Sequence, residues 1–231
     1  MKISQSLIKD VKKYKCSEFI RLRYKEGVKT PPSNPMMQGL YFESELIGSA
    51  RGGKYEMPLL KSGKPSKAQL DVDAVIARAF KVLEKSNIVV QDIQVYKENG
   101  NASGHIDFIG TINGNKAIFD VKFTGLALSR WESEMKYGGT AESFDIQSSH
   151  YQKLYEDEKL DFYFLVFSSA GWDKIYLKPF SQESIKEAED RINETSLDLL
   201  GEMKADSNTC NICPLNDVCK VREFVPKIEI I

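Results

Sequence analysis

Apolar residues recur at helical spacing in five stretches of the chain and form strand-length runs in five others. The first stripe, Leu7, Ile8, Val11, Tyr14, Phe19, Ile20 and Leu22, predicts one helix capped by Ser4 or Ser6 and running to about Tyr24. GVKTPPSNP (27–35) ends it as an extended loop, because proline lacks a donor and restricts the residue before it. A second helix is expected over 36–50, then a glycine-rich turn. A long amphipathic helix opens at Ser66, with Leu70, Val72, Val75, Ile76, Ala79, Phe80 and Leu83 near one face. Strands follow at about 89–97, 103–112 and 116–124. The stretch LALSRWESEMKYGGT (126–140) reads as a loop, long enough to hint at function. A helix (141–158), two strands (FYFLVFSS and DKIYLKPF) and a last helix opened by Ser181 complete the pattern. The order fits one α/β domain with a C-terminal appendix.

Residues 104–125, GHIDFIGTINGNKAIFDVKFTG, carry the most chemistry. Asn113-Gly114 lies midway between two strand-forming runs and is the strongest local signal for a tight hairpin. Side chains alternate along a strand, so Asp120 and Lys122 project on one side and Val121 on the other. Asp107 lies on the partner strand. Taken alone, these residues are more commonly a solvated polar face with an incidental ion pair, and a site needs support from elsewhere in the chain.

The 42% hydrophobic and 28% charged composition is ordinary for a soluble globular protein of 231 residues. No apolar run reaches membrane-spanning length, and MKISQSLIKDVKKYKC lacks the apolar core of a signal peptide, so a cytoplasmic location without a membrane is expected. The net charge of −1 gives no global argument for a polyanion, but residues 1–30 carry nine Lys/Arg against three acids. That segment is either a basic surface for a polyanion or a solvated helix face.

Four cysteines are present: Cys16, and then Cys210, Cys213 and Cys219 as C-x2-C-x5-C in TCNICPLNDVCK. In a reducing compartment such a cluster points to thiolate ligation rather than disulfides. An iron–sulfur cluster, a zinc ion, or a free Cys16 beside a trio with another role all remain open on spacing alone.

Taken in order, these features resemble the RecB-like branch of the PD-(D/E)xK nucleases. The likeness is greatest to its iron–sulfur members, the CRISPR-adaptation nucleases and the AddB nuclease domain. Gly39-Leu40-Tyr41-Phe42-Glu43 matches the family's G-x-x-x-(H/E) helix, and Gly104-His105-Ile106-Asp107 its G-x-x-D strand. Asp120-Val121-Lys122 matches D/E-x-K, and Gln147-Ser148-Ser149-His150-Tyr151 matches Q-x-x-x-Y. Glu45 stands about 200° round the helix from Glu43, and the glycine spacing selects Glu43. Relatives often carry histidine at Glu43, glutamate at Asp120 and a proline after the first cysteine, where this chain has Ser17.

The resemblance implies a single restriction-endonuclease-like α/β domain over 1–231. A central mixed sheet is flanked by helices, with a basic N-terminal helix (1–30), a nuclease core (36–180) and a C-terminal helix and cysteine cluster (181–231). It implies that Glu43, Asp107 and Asp120, with the Val121 carbonyl, hold Mg2+ or Mn2+. Lys122 then orients water and stabilises developing charge, and Gln147 and Tyr151 position substrate or the lysine. Cys16, Cys210, Cys213 and Cys219 would share a [4Fe–4S] cluster (alternatively Zn2+) that clasps the tail to the first helix. The substrate would be DNA, single-stranded or at duplex ends. The setting would be recombination, repair or CRISPR adaptation, with phage origin, a homo-oligomer or partner proteins all compatible. His105 would share the Asp107 face, and His150 would lie at the surface or behind the site. Trp131 and Tyr137 could stack on unpaired bases. A catalytically idle DNA-binding or assembly subunit and a zinc-clasped interaction module are the competing functions.

Overall fold

The computed structural model describes residues 1–137, 139–201, 203 and 207–219. Five strands form one mixed sheet in the order β1(Ile88–Asn99), β2(Ala102–Ile112), β3(Asn115–Thr124), β4(Asp161–Ser168), β5(Asp173–Lys178). The first three are an antiparallel meander. The β2–β3 hairpin turns at Asn113 (φ 50°) and Gly114 (φ 83°), the paired positive angles that Asn-Gly tolerates. β4 runs parallel to β3, which requires a helical crossover, and β5 returns antiparallel.

Helices cover both faces. α3(Asn34–Ile47) and α4(Lys67–Lys85) place Phe42, Leu46, Val72, Val75 and Ala79 against Phe108, Phe119 and Leu165. On the other side, α6(Gly139–Leu154) brings Phe144, Ile146 and Tyr151 onto Ile109, Ile118, Phe162 and Phe164, with α7(Gln182–Leu200) adding Ile192. Gly110 is obligatory where β1 bulges between Val90 and Asp92, since a Cβ there would lie 2.2 Å from the Val89 carbonyl oxygen. Among the described residues no helix is long and apolar enough to cross a membrane.

Several expectations are corrected. The first helix is not continuous to Tyr24. α1(Gln5–Tyr14) stops at Lys15, whose φ is 44°, and α2(Ser17–Ile20) restarts with the Cys16 Sγ accepting from Phe19 N–H at 3.4 Å. A π-helical turn, Arg21–Lys25, follows. α3 begins before the predicted 36, because Pro35 suits a first helical turn. The 126–140 stretch is no loop: Leu128–Tyr137 is α5, and Trp131 and Met135, one turn apart, pack into the core.

Candidate active site

The β2–β3 ladder ends at Phe108 opposite Phe119. The next pair in that register would be Asp107 and Asp120, and there the strands part. Val121 N–H, left without a strand partner, donates to Asp107 Oδ2 at 2.7 Å. A residue's N–H and C=O point to the same strand edge, so the Val121 carbonyl also faces the gap.

Asp120 is 1% exposed. Its Oδ1 accepts from Gln147 Nε2 on α6. Its Oδ2 lies 2.5 Å from Lys122 Nζ, yet no described residue gives it a hydrogen bond of regular angle. Glu43 arrives from α3, its Oε1 accepting from Gln94 Nε2 at 2.9 Å. These residues, with Tyr151, Arg23, Arg51, Gln94, Tyr96 and His105, line one cleft of about 700 Å³. Glu45 is exposed and lies outside it.

Crowding of charge is the dominant electrostatic fact. Burial and then the Asp120 charge push Glu43 up to about 7. Burial, followed by the Asp120 and Glu43 charges, raises Asp107 well above the carboxylate range. Burial alone would lower Lys122, but Asp120 and Asp107 outweigh it and raise the ammonium. Lys9 of α1, pushed down to about 8 by burial and the Lys122 charge, is a further cation near the site.

A stability effect follows, with its sign. The folded protein holds the Glu43 proton up to about 7 instead of the usual 4.5, a contribution present at low pH and lost as pH rises through that window. Glu43→Gln carries no such charge. In chelator, the melting temperature of Glu43→Gln relative to wild type should therefore increase from pH 4.5 to about 7. A difference that stays constant across those melts would refute the crowding.

Gln147 and Tyr151 reach the site in ways the sequence did not show. Gln147 bonds the Asp120 carboxylate, itself in contact with Lys122. Tyr151 donates to the His105 carbonyl at 2.6 Å and packs over Gly104, where a Cβ would meet its ring at 2.7 Å. The glycine of G-x-x-D is thus the seat of the tyrosine of Q-x-x-x-Y. His105 is exposed, lines the cleft and packs on Tyr96, ring centroids 4.8 Å apart.

Of the two places expected for His150, the structure has the one behind the site: it is buried, with Nε2 at 2.9 Å from the carbonyl of Ser103, a residue of the cleft, and burial lowers its pKa. One placement is overturned. Trp131 is no base-stacking platform: it is 6% exposed, and its Nε1–H donates to Tyr176 OH at 2.8 Å. The Tyr137 side chain lies outside the described residues.

Cys16, Cys210, Cys213 and Cys219 line a second cavity, walled by Tyr14, Phe19, Leu22 and Leu215. None of the four is joined in a disulfide among the described residues, and burial pushes the Cys213 thiol up. Among the described residues no three His, Cys, Asp or Glu side chains close on a common metal position. Each carboxylate of the cleft is instead engaged by the protein: Asp107 by Val121 N–H, Asp120 by Gln147 and Glu43 by Gln94.

No protein-family model and no curated protein matches this sequence. Among solved structures the chain is similar to a candidate exonuclease from Eubacterium rectale, at 21% identity over 95% of this chain and 88% of that one, with a TM-score of 0.67. The chain has a nuclease-like α/β fold. A phage-related exonuclease from Haemophilus somnus superposes more loosely, with 14% identity, 86% and 93% coverage and a TM-score of 0.42.

Proposed function

We propose that this protein is a metal-dependent DNA exonuclease of the PD-(D/E)xK type. The observation that carries the reading is the parting of β2 and β3 at Asp107 and Asp120, which gathers these carboxylates, Glu43, Lys122 and the Val121 carbonyl edge around one cleft. The exonuclease description of the Eubacterium rectale protein supports it.

The donor set fits a hard divalent cation. Asp120 Oδ2 is buried with Lys122 beside it but no hydrogen bond of regular angle among the described residues, and burial and the mutual charge of the carboxylates make Glu43 and Asp107 hold protons against their usual acidity. Glu43, Asp107, Asp120 and the Val121 carbonyl would hold Mg2+ or Mn2+, both of which favour oxygen ligands. Such an ion, when bound, acidifies water and polarises a phosphate. Lys122 would meet the charge that builds on the phosphate oxygens. Gln147 fixes the Asp120 carboxylate, and Tyr151 fixes the end of β2 that carries Asp107.

The four cysteines, gathered on one cavity between the N-terminal helices and the tail, would hold a [4Fe–4S] cluster, with zinc as the alternative. The site would act on DNA ends in recombination, repair or CRISPR adaptation, alone, as a homo-oligomer or with partner proteins. An idle DNA-binding subunit would have no use for buried like charges next to a phosphate.

Linear and covalently closed circular DNA separate the possibilities in the presence of Mn2+. The linear form should be degraded and the circle left whole. Equal loss of both would overturn the exonuclease assignment, and loss of neither would overturn the nuclease reading.

A further inference from the structure

We propose that Gln94 is the positioning residue of the cleft, its amide fixing the Glu43 carboxylate and the 49–53 turn that carries Arg51; this rests on the metal-dependent reading above. Gln94 lies on β1 between Ile93, paired with Phe108, and Val95, paired with Ile106. In that register it stands opposite Asp107, so Gln94, Asp107 and Asp120 make one transverse row across three strands.

Its backbone is unusual for a strand. Gln94 has φ 50°, in the left-handed region that a long L side chain rarely adopts. A residue keeps such a conformation only where its surroundings determine it, and such residues gather at functional sites. Here the determinant is the amide. Nε2 donates to Glu43 Oε1 at 2.9 Å and to the Ser49 carbonyl at 3.4 Å, while Oε1 accepts from Gly52 N–H at 3.3 Å. The reversed amide would set oxygen against two acceptors and its NH2 against a donor, so the orientation is determined.

Both ends of the amide therefore act on the cleft. One end holds the carboxylate that α3 contributes to the cation site. The other holds the turn whose Arg51 lines the same cavity. Without the amide, the Glu43 side chain is released to several rotamers, and the carboxylate cluster loses its fixed third member. Partners of this kind, one shell out from a metal ligand, change metal affinity by about 10- to 100-fold.

Gln94→Gly separates positioning from structure. Glycine adopts a positive φ without strain, and that relief offsets the chain entropy glycine costs in a strand and the lost amide bonds. In chelator the variant should melt close to the wild-type temperature. Calorimetric titration of the metal-free proteins with Mn2+ should show binding weakened about tenfold or more in the variant. Mn2+ binding equal to wild type would overturn the proposal. So would a variant that fails to fold or melts well below wild type, since that would mark a structural role. A wild-type chain that takes up no Mn2+ would overturn the parent reading, and this one with it.

Discussion

Asp120→Asn should lower Mn2+-dependent DNA cleavage by about 10³-fold or more while leaving the melting temperature in chelator at or above that of wild type. Removing one group that acts on the transition state costs about 10² to 10³ in rate, and Asp120 is both a proposed metal ligand and the partner of Lys122. The stability half of the prediction comes from the same crowding. Asp120 is almost fully buried, and its charge raises both Glu43 and Asp107. The amide that replaces it is isosteric and uncharged. Lys122→Ala should lose comparable activity but lose stability too, because the carboxylates would then face each other without their nearest cation. Cleavage near the wild-type rate by purified Asp120→Asn would remove the site from the account.

The second large effect concerns the cysteines. Cys16→Ser should lose bound iron and the brown absorbance, and should become protease-sensitive near both ends of the chain. Cys16 sits between α1 and α2, and its cavity is shared with residues 210–219. Ligation across that gap would contribute directly to folding free energy. Serine is itself a good N-cap, so it keeps the bond to Phe19 N–H that Cys16 makes, and the loss can be attributed to the ligand. Full iron content with an unchanged melting temperature would place the fourth ligand elsewhere. A colourless protein with stoichiometric zinc would decide for the alternative metal.

Much of this molecule is legible in the sequence where a signal is local. Asn113-Gly114 specifies its hairpin, and alternation puts Asp120 and Lys122 on one side of β3, where the two are in contact. The stripe of α4 gives part of its buried face, Val72, Val75, Ala79 and Leu83, whereas Leu70 and Phe80, expected near that face, are exposed. What escaped depends on partners distant in sequence. α5 shows only Leu128, Trp131 and Met135 as a short apolar stripe among charges, and the burial of Trp131 is supplied by Tyr176, Phe144 and Trp172. Lys9 reads as one more cation on a basic helix until α1 is seen beside Lys122. Gln94 has no sequence signal at all, since Ile-Gln-Val in a strand says nothing of a left-handed φ. The break at Lys15 and Cys16 was masked by an apolar stripe that continues across it, because α1 and α2 pack into the same cluster with Leu215.

The most direct test of the central claim is release of nucleotides from end-labelled DNA, single- and double-stranded, by the purified wild-type protein. Wild type should release label in Mn2+ and none in chelator, and Asp120→Asn should release almost none in either. Release that continues in chelator, or that Asp120→Asn matches in Mn2+, would contradict the carboxylate cleft as the seat of the reaction.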